Sequence, residues 1–85
     1  MAILRLPAVK AETGHSSHAS VYNEVRDGTF PKPVKIGLRA SGWPDDEVKA
    51  VVTARIAGAS KDQLRSLVKA LHAKRAEKLA MLMAA

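Results

Sequence analysis

Residues 30–44, Phe-Pro-Lys-Pro-Val-Lys-Ile-Gly-Leu-Arg-Ala-Ser-Gly-Trp-Pro, constrain this chain more than any other stretch. They predict a very short basic β-hairpin. Phe30 to Pro33 form a turn leading into it, and Trp43-Pro44 close it at the start of a helix. Val34 and Ile36 alternate with Lys35, which predicts one apolar face and one cationic face. Gly37 offers the permissive backbone for reversing the chain, and Arg39 and Ser41 project from the returning arm.

Upstream lies a helix, turn, helix pattern. Residues 3–6 predict an extended lead-in that pairs with the hairpin. Pro7 suits the first position of a helix and Gly14 a left-handed stop. Ser16 or Ser17 can cap a second helix, which runs to about Asp27 with Gly28 as its stop. Val21, Tyr22 and Val25 give it an apolar face, while Ser17, His18, Ser20 and Asn23 leave its front small, polar and uncharged. Downstream, Asp45-Asp46-Glu47 place acids where a helix dipole favours them, and Val48, Val51, Val52 and Ile56 predict its buried stripe. Ser60 and Gln63 form a capping box that opens a last helix. Its apolar stripe of Leu64, Leu67, Val68, Leu71, Leu79 and Leu82 weakens where Lys74, Arg75 and Lys78 crowd in.

A two-helix reader followed by a basic hairpin is the layout of a winged helix-turn-helix. The expected fold is therefore mainly α, with a short β-hairpin wing (residues 1–58) and an added C-terminal helix (59–85). Eighty-five residues make one domain with a small core, and much of the 47% hydrophobic content is alanine. The chain has no cysteine, which excludes disulfides and thiolate zinc sites and fits a cytoplasmic setting. No apolar run approaches a membrane span, and Arg5, Pro7 and Lys10 interrupt any signal-peptide core.

The net charge of +6 suits a polyanionic partner. Positive charge is concentrated in residues 1–43 and 60–85, with an acidic helix start between them. Duplex DNA is the expected partner. A helix fits the major groove, Asn can read adenine, and Ser or His can bond bases or phosphate. Ser16, Ser17, His18, Ser20, Tyr22 and Asn23 are the candidate groove contacts; Arg26, Lys32, Lys35, Arg39 and Ser41 are the candidate backbone contacts. The same residues also fit solvated helix faces and an edge hairpin protected by lysine.

His15 and His18 lack a third ligand for a metal, so their use is a hydrogen bond to DNA that strengthens as pH falls below about 6.5. No nucleophile–base pair or phosphate loop points to an enzyme, and no cofactor is implied. The tail can pair with a second copy, pack back on its own domain, or lie on a membrane surface; the lack of Trp and Phe disfavours the last. A module that binds an integrase or a polymerase subunit is the rival to DNA binding. RNA binding lacks exposed stacking aromatics.

Residues 4–56 resemble the AlpA-type prophage regulators and excisionase-like proteins of the MerR-like winged-helix group. The resemblance is carried by Leu4-Arg-Leu-Pro-Ala-Val9, Thr13-Gly14, Val21-Tyr22, Gly28, Phe30-Pro-Lys-Pro-Val-Lys-Ile36, Gly37-Leu-Arg39, Gly42-Trp43 and Glu47-Val48. It implies a small cytoplasmic DNA-binding regulator that activates or represses a phage promoter, or bends DNA for excision. The family's reading helix maps to about residues 16–26 and its wing to 34–42. Two departures stand out: one extra residue between Gly14 and Tyr22, and Ser17-His18-Ala19 where the family usually has Arg or Lys. By analogy with larger MerR-like regulators, the tail after Ala57 would pair two protomers into a homodimer.

Overall fold

A computed structural model describes residues 2–84. The element order is β1 (Ile3–Leu4), α1 (Leu6–Thr13), α2 (His18–Asp27), β2 (Val34–Gly37), β3 (Ala40–Pro44), α3 (Asp45–Ile56) and α4 (Lys61–Ala84). This is the mainly α winged helix-turn-helix that the sequence predicts. The three strands form one antiparallel sheet in the order β1-β3-β2.

Local rules set the helix boundaries. Gly14 and Gly28 both adopt the left-handed conformation at φ 79° and 82°, where a side chain would be strained, and they end α1 and α2. Ser60 and Gln63 bond reciprocally: the Ser60 N–H donates to Gln63 Oε1 (2.8 Å) and the Gln63 N–H to Ser60 Oγ (3.1 Å). That exchange satisfies donors left open at the start of α4. Pro7 falls second rather than first in α1, and Trp43 and Pro44 belong to β3, so α3 begins at Asp45.

β1 docks on β3 through Ile3↔Pro44 and Leu4↔Trp43, and the Asp45 N–H extends the ladder to the Ala2 carbonyl (2.8 Å). This approach requires Gly42. A Cβ there would run into Ile3 and would lie 2.9 Å from the Leu4 carbonyl oxygen.

The hairpin departs from its expected form in two ways. Gly37 does not reverse the chain. It is a strand residue paired with Ala40 and lies outside the left-handed region, and the turn falls on Leu38 and Arg39. A register shift between Lys35 and Gly37 breaks the alternation, leaving Ile36 43% exposed.

The core joins every helix to the sheet: Val9 from α1, Val21 from α2, Phe30 from the loop, Trp43 from β3, Val48 and Val51 from α3, and Leu64 from α4. The Trp43 indole N–H donates to the Pro31 carbonyl (2.7 Å), so the ring is buried without an orphaned donor. Ile56, expected in the α3 stripe, is instead exposed, because it is the last residue of that helix and lies past its packed face. α4 divides along its length. Leu64 and Val68 are buried and Leu67 and Leu71 pack beside them, whereas Leu79 and Leu82 are exposed.

Candidate nucleic-acid interface

The front of α2 is built by its cap. Ser17, not Ser16, is the N-cap: its Oγ accepts from the Ser20 N–H (3.1 Å), and the Ser20 hydroxyl donates back to the Ser17 carbonyl (2.7 Å). Both hydroxyls are therefore engaged in starting the helix. Ser16 lies exposed just before it.

Beside this front lies a cleft of about 440 Å³, bordered by Arg5, Leu6, Pro7, His18, Tyr22, Arg39, Ser41 and Trp43. It gathers four of the expected contact residues from three elements: His18 and Tyr22 from α2, Arg39 from the hairpin turn and Ser41 from β3. Tyr22 leans on Trp43 with ring centroids 5.9 Å apart and is 44% exposed. Its ring therefore joins wing to helix while its outer edge remains available. Lys35 stands exposed on β2, paired in register with Ser41.

The other candidates lie elsewhere. Asn23 is exposed on α2 outside the cleft lining, and its Oδ1 accepts from Arg26 Nη2 (2.6 Å). Arg26 and Lys32 border a different cleft, between the end of α2 and α4. Arg26 is two turns beyond His18, and the Lys32 backbone is held against α4 by the His72 ring and Arg75.

The two histidines separate. His15 is an internal tie rather than a surface contact. Its Nδ1 lies 2.5 Å from Thr13 Oγ1, its Nε2 bonds the Glu24 carboxylate, and its ring edge meets Phe30. Arg55 also bonds Glu24 and answers its charge. Burial, and then that guanidinium, lowers the His15 pKa from its ordinary value. Among the described residues no three His, Asp or Glu side chains are grouped to hold a metal.

Sequence reasoning missed Arg5, which also lines the cleft. The available signal was the pairing of residues 3–6 with the hairpin, which carries Arg5 alongside the wing. It also missed Glu47. Glu47 is more than a dipole-matching acid: it is buried at 5% exposure, and both its oxygens accept from Arg75 of α4 (Nε–Oε2 2.8 Å, Nη2–Oε1 2.5 Å). Glu24 and Glu47 are thus both answered by arginine inside the fold.

Residues 2–56, more than half of the chain, match the family described as "Prophage CP4-57 regulatory protein (AlpA)". The chain is also 36% identical over 59 residues to the "DNA-binding transcriptional activator AlpA" of Escherichia coli (strain K12). That similarity covers 62% of this chain and 83% of the relative. No solved structure matches the chain. The matched segment contains β1 through α3, and so the whole cleft: the chain belongs to the AlpA family of prophage regulatory proteins.

Proposed function

We propose that this protein is a sequence-specific, double-stranded DNA-binding transcriptional regulator of prophage type that works in the cytoplasm, with residues 1–58 as its DNA-binding part. The observation that carries this reading is the first cleft. It sets the exposed front of α2 beside a cationic hairpin, with Arg5 and Arg39 bordering it. α2 would enter the major groove with His18, Tyr22 and Asn23 toward the bases, while the Ser20 hydroxyl stays bonded to the Ser17 carbonyl. Arg5, Lys35 and Arg39 would meet phosphate, with Ser41 between them. An excisionase-like role in shaping DNA uses the same contacts. The relative's description as an activator favours transcription.

α4 (Lys61–Ala84) is the added helix. We assign its exposed end to a homodimer contact: Leu79, Leu82 and Met83 follow i, i+3, i+4 spacing and are 60%, 75% and 78% exposed. The second reading is a module that docks on an integrase or a polymerase subunit. Leu38, 98% exposed at the hairpin turn, favours it, as does the uncharged front of α2.

Fluorescence anisotropy on duplexes from the region of the protein's own gene, against scrambled duplex at two salt concentrations, tests the DNA reading. Tight, salt-sensitive and selective binding is expected. The Arg39→Ala variant should flatten the salt slope by about 0.9. Weak binding, equal on both duplexes, would turn the assignment to the protein-docking reading. Light scattering of the same samples decides the dimer.

A further inference from the structure

A second cleft, of about 350 Å³, lies between the C-terminal end of α2, the loop that follows it and α4. Its floor includes Val25, Phe30 and Val68. Four cations border it from three separate segments: Arg26 from α2, Lys32 from the loop, and Arg65 and Lys69 from α4. The one acid at the border, Asp27, presents its backbone carbonyl to Arg65 Nε (3.1 Å), which positions that guanidinium. Arg65 also pairs with Asp62, but Asp62 is 94% exposed, so an arriving anion can displace it at little cost. The Lys32 main chain is held through both its N–H and its carbonyl. Its N–H donates to His72 Nε2 (3.1 Å) and its carbonyl accepts from Arg75 Nη2 (2.8 Å). The ammonium therefore extends from a fixed point.

The two clefts are connected along α2. His18 and Tyr22 border the first and Arg26 the second, and these residues follow i, i+4, i+8 spacing on one face of the helix. Eight residues of helix span about 12 Å. That is roughly the width of the DNA major groove. A helix whose axis crosses the groove, seated with His18 near one wall, thus carries Arg26 to the opposite wall.

We propose that the second cleft is a phosphodiester-binding site for the DNA strand on the far side of that groove, with Arg65 and Lys69 of α4 supplying backbone contacts. The inference rests on the DNA-binding reading above. It gives α4, which lies outside the segment matched to the family, a direct part in binding. An acidic peptide could answer the same charges. Continuity with the exposed α2 stripe favours the nucleic-acid backbone.

The test uses the full chain and the duplex from its own gene region, titrated between about 50 and 200 mM salt. Arg65→Gln/Lys69→Gln should flatten the salt slope by about 1.8 and weaken binding roughly thirtyfold near 150 mM salt. The loss should be the same on specific and scrambled duplexes, because phosphate contacts carry no sequence information. Lys69→Gln alone, which removes no ion pair found among the described residues, should take about half that slope and keep the test informative if the double variant is unstable. Wild-type binding with unchanged slope and affinity in both variants would overturn the inference while leaving the DNA reading standing. No wild-type binding to any duplex would remove both.

Discussion

Glu24 and Glu47 are both withdrawn from water and both bonded to arginine, yet they tie the molecule together in different ways. Glu24 lies on α2, and its partners His15, Thr29 and Arg55 all fall within the segment shared with the family. Glu47 lies on α3, and its partner Arg75 is 28 residues away on α4, outside that segment. Glu24 is also the wetter of the two, with a side chain 22% exposed against 7% for Glu47. The contrast shows that the winged domain is self-sufficient at one internal carboxylate and dependent on its added helix at the other.

Removing that helix should produce the largest effect. A chain ended at residue 58 loses the Leu64 and Val68 side chains from the core, worth roughly 3–6 kcal/mol together, and leaves Glu47 unpaired. Against a total stability of about 5–15 kcal/mol, the truncated chain should be largely unfolded by circular dichroism. A cooperative melt close to that of the full chain would erase the contrast.

Next comes Arg75→Ala, which should lower unfolding stability by about 3 kcal/mol in a denaturant titration. Adding Glu47→Gln should recover much of that loss, because the stranded charge is then gone. At the self-sufficient node, Arg55→Ala should cost only about 1 kcal/mol, since Glu24 keeps His15 and Thr29 and the Arg55 side chain is 36% exposed. Equal losses at the two nodes would break the comparison.

The smallest effect is one of pH. The His72 ring nitrogen accepts from the Lys32 N–H, a bond open only to the unprotonated nitrogen. Burial comes first, and Arg75 and Lys32 add to it; together they outweigh Glu47 and set the His72 pKa below its ordinary 6.5. The folded state thus favours the neutral ring. Its contribution to stability is complete above pH 6.5 and is lost as pH falls from there through the lowered folded value. Melting temperatures at about pH 7.5 and 5.5 should differ more for the wild type than for His72→Gln. An identical pH response in the two would remove His72 as the source.

Much of this fold was legible because its signals are local. Gly14, Gly28 and the Ser60–Gln63 box act within a turn of where they stand, and a short basic run marks the hairpin. The first cleft was legible in part: His18, Tyr22, Arg39 and Ser41 converge, and Arg5 joins them. What escaped depends on long-range packing. Nothing near Glu47 in sequence announces Arg75. Arg26 stands apart from the first cleft because it lies two turns beyond His18, and Lys32 because its backbone is held against α4. Ile56 kept the helical period of its neighbours but stands where the buried face has ended.

The unequal burial of the Glu47–Arg75 pair also gives its inheritance a direction. Arg75 is 26% exposed at its side chain and also donates to the Lys32 carbonyl, so it tolerates the loss of its carboxylate partner. Glu47, sealed beneath it, does not tolerate the reverse. A lineage can therefore discard this pair by neutralising position 47 first and position 75 afterwards. The opposite order passes through an ancestor carrying a buried charge with nothing to answer it. In an aligned set of descendants, neutral residues at 75 should occur only beneath branches where 47 has already lost its charge.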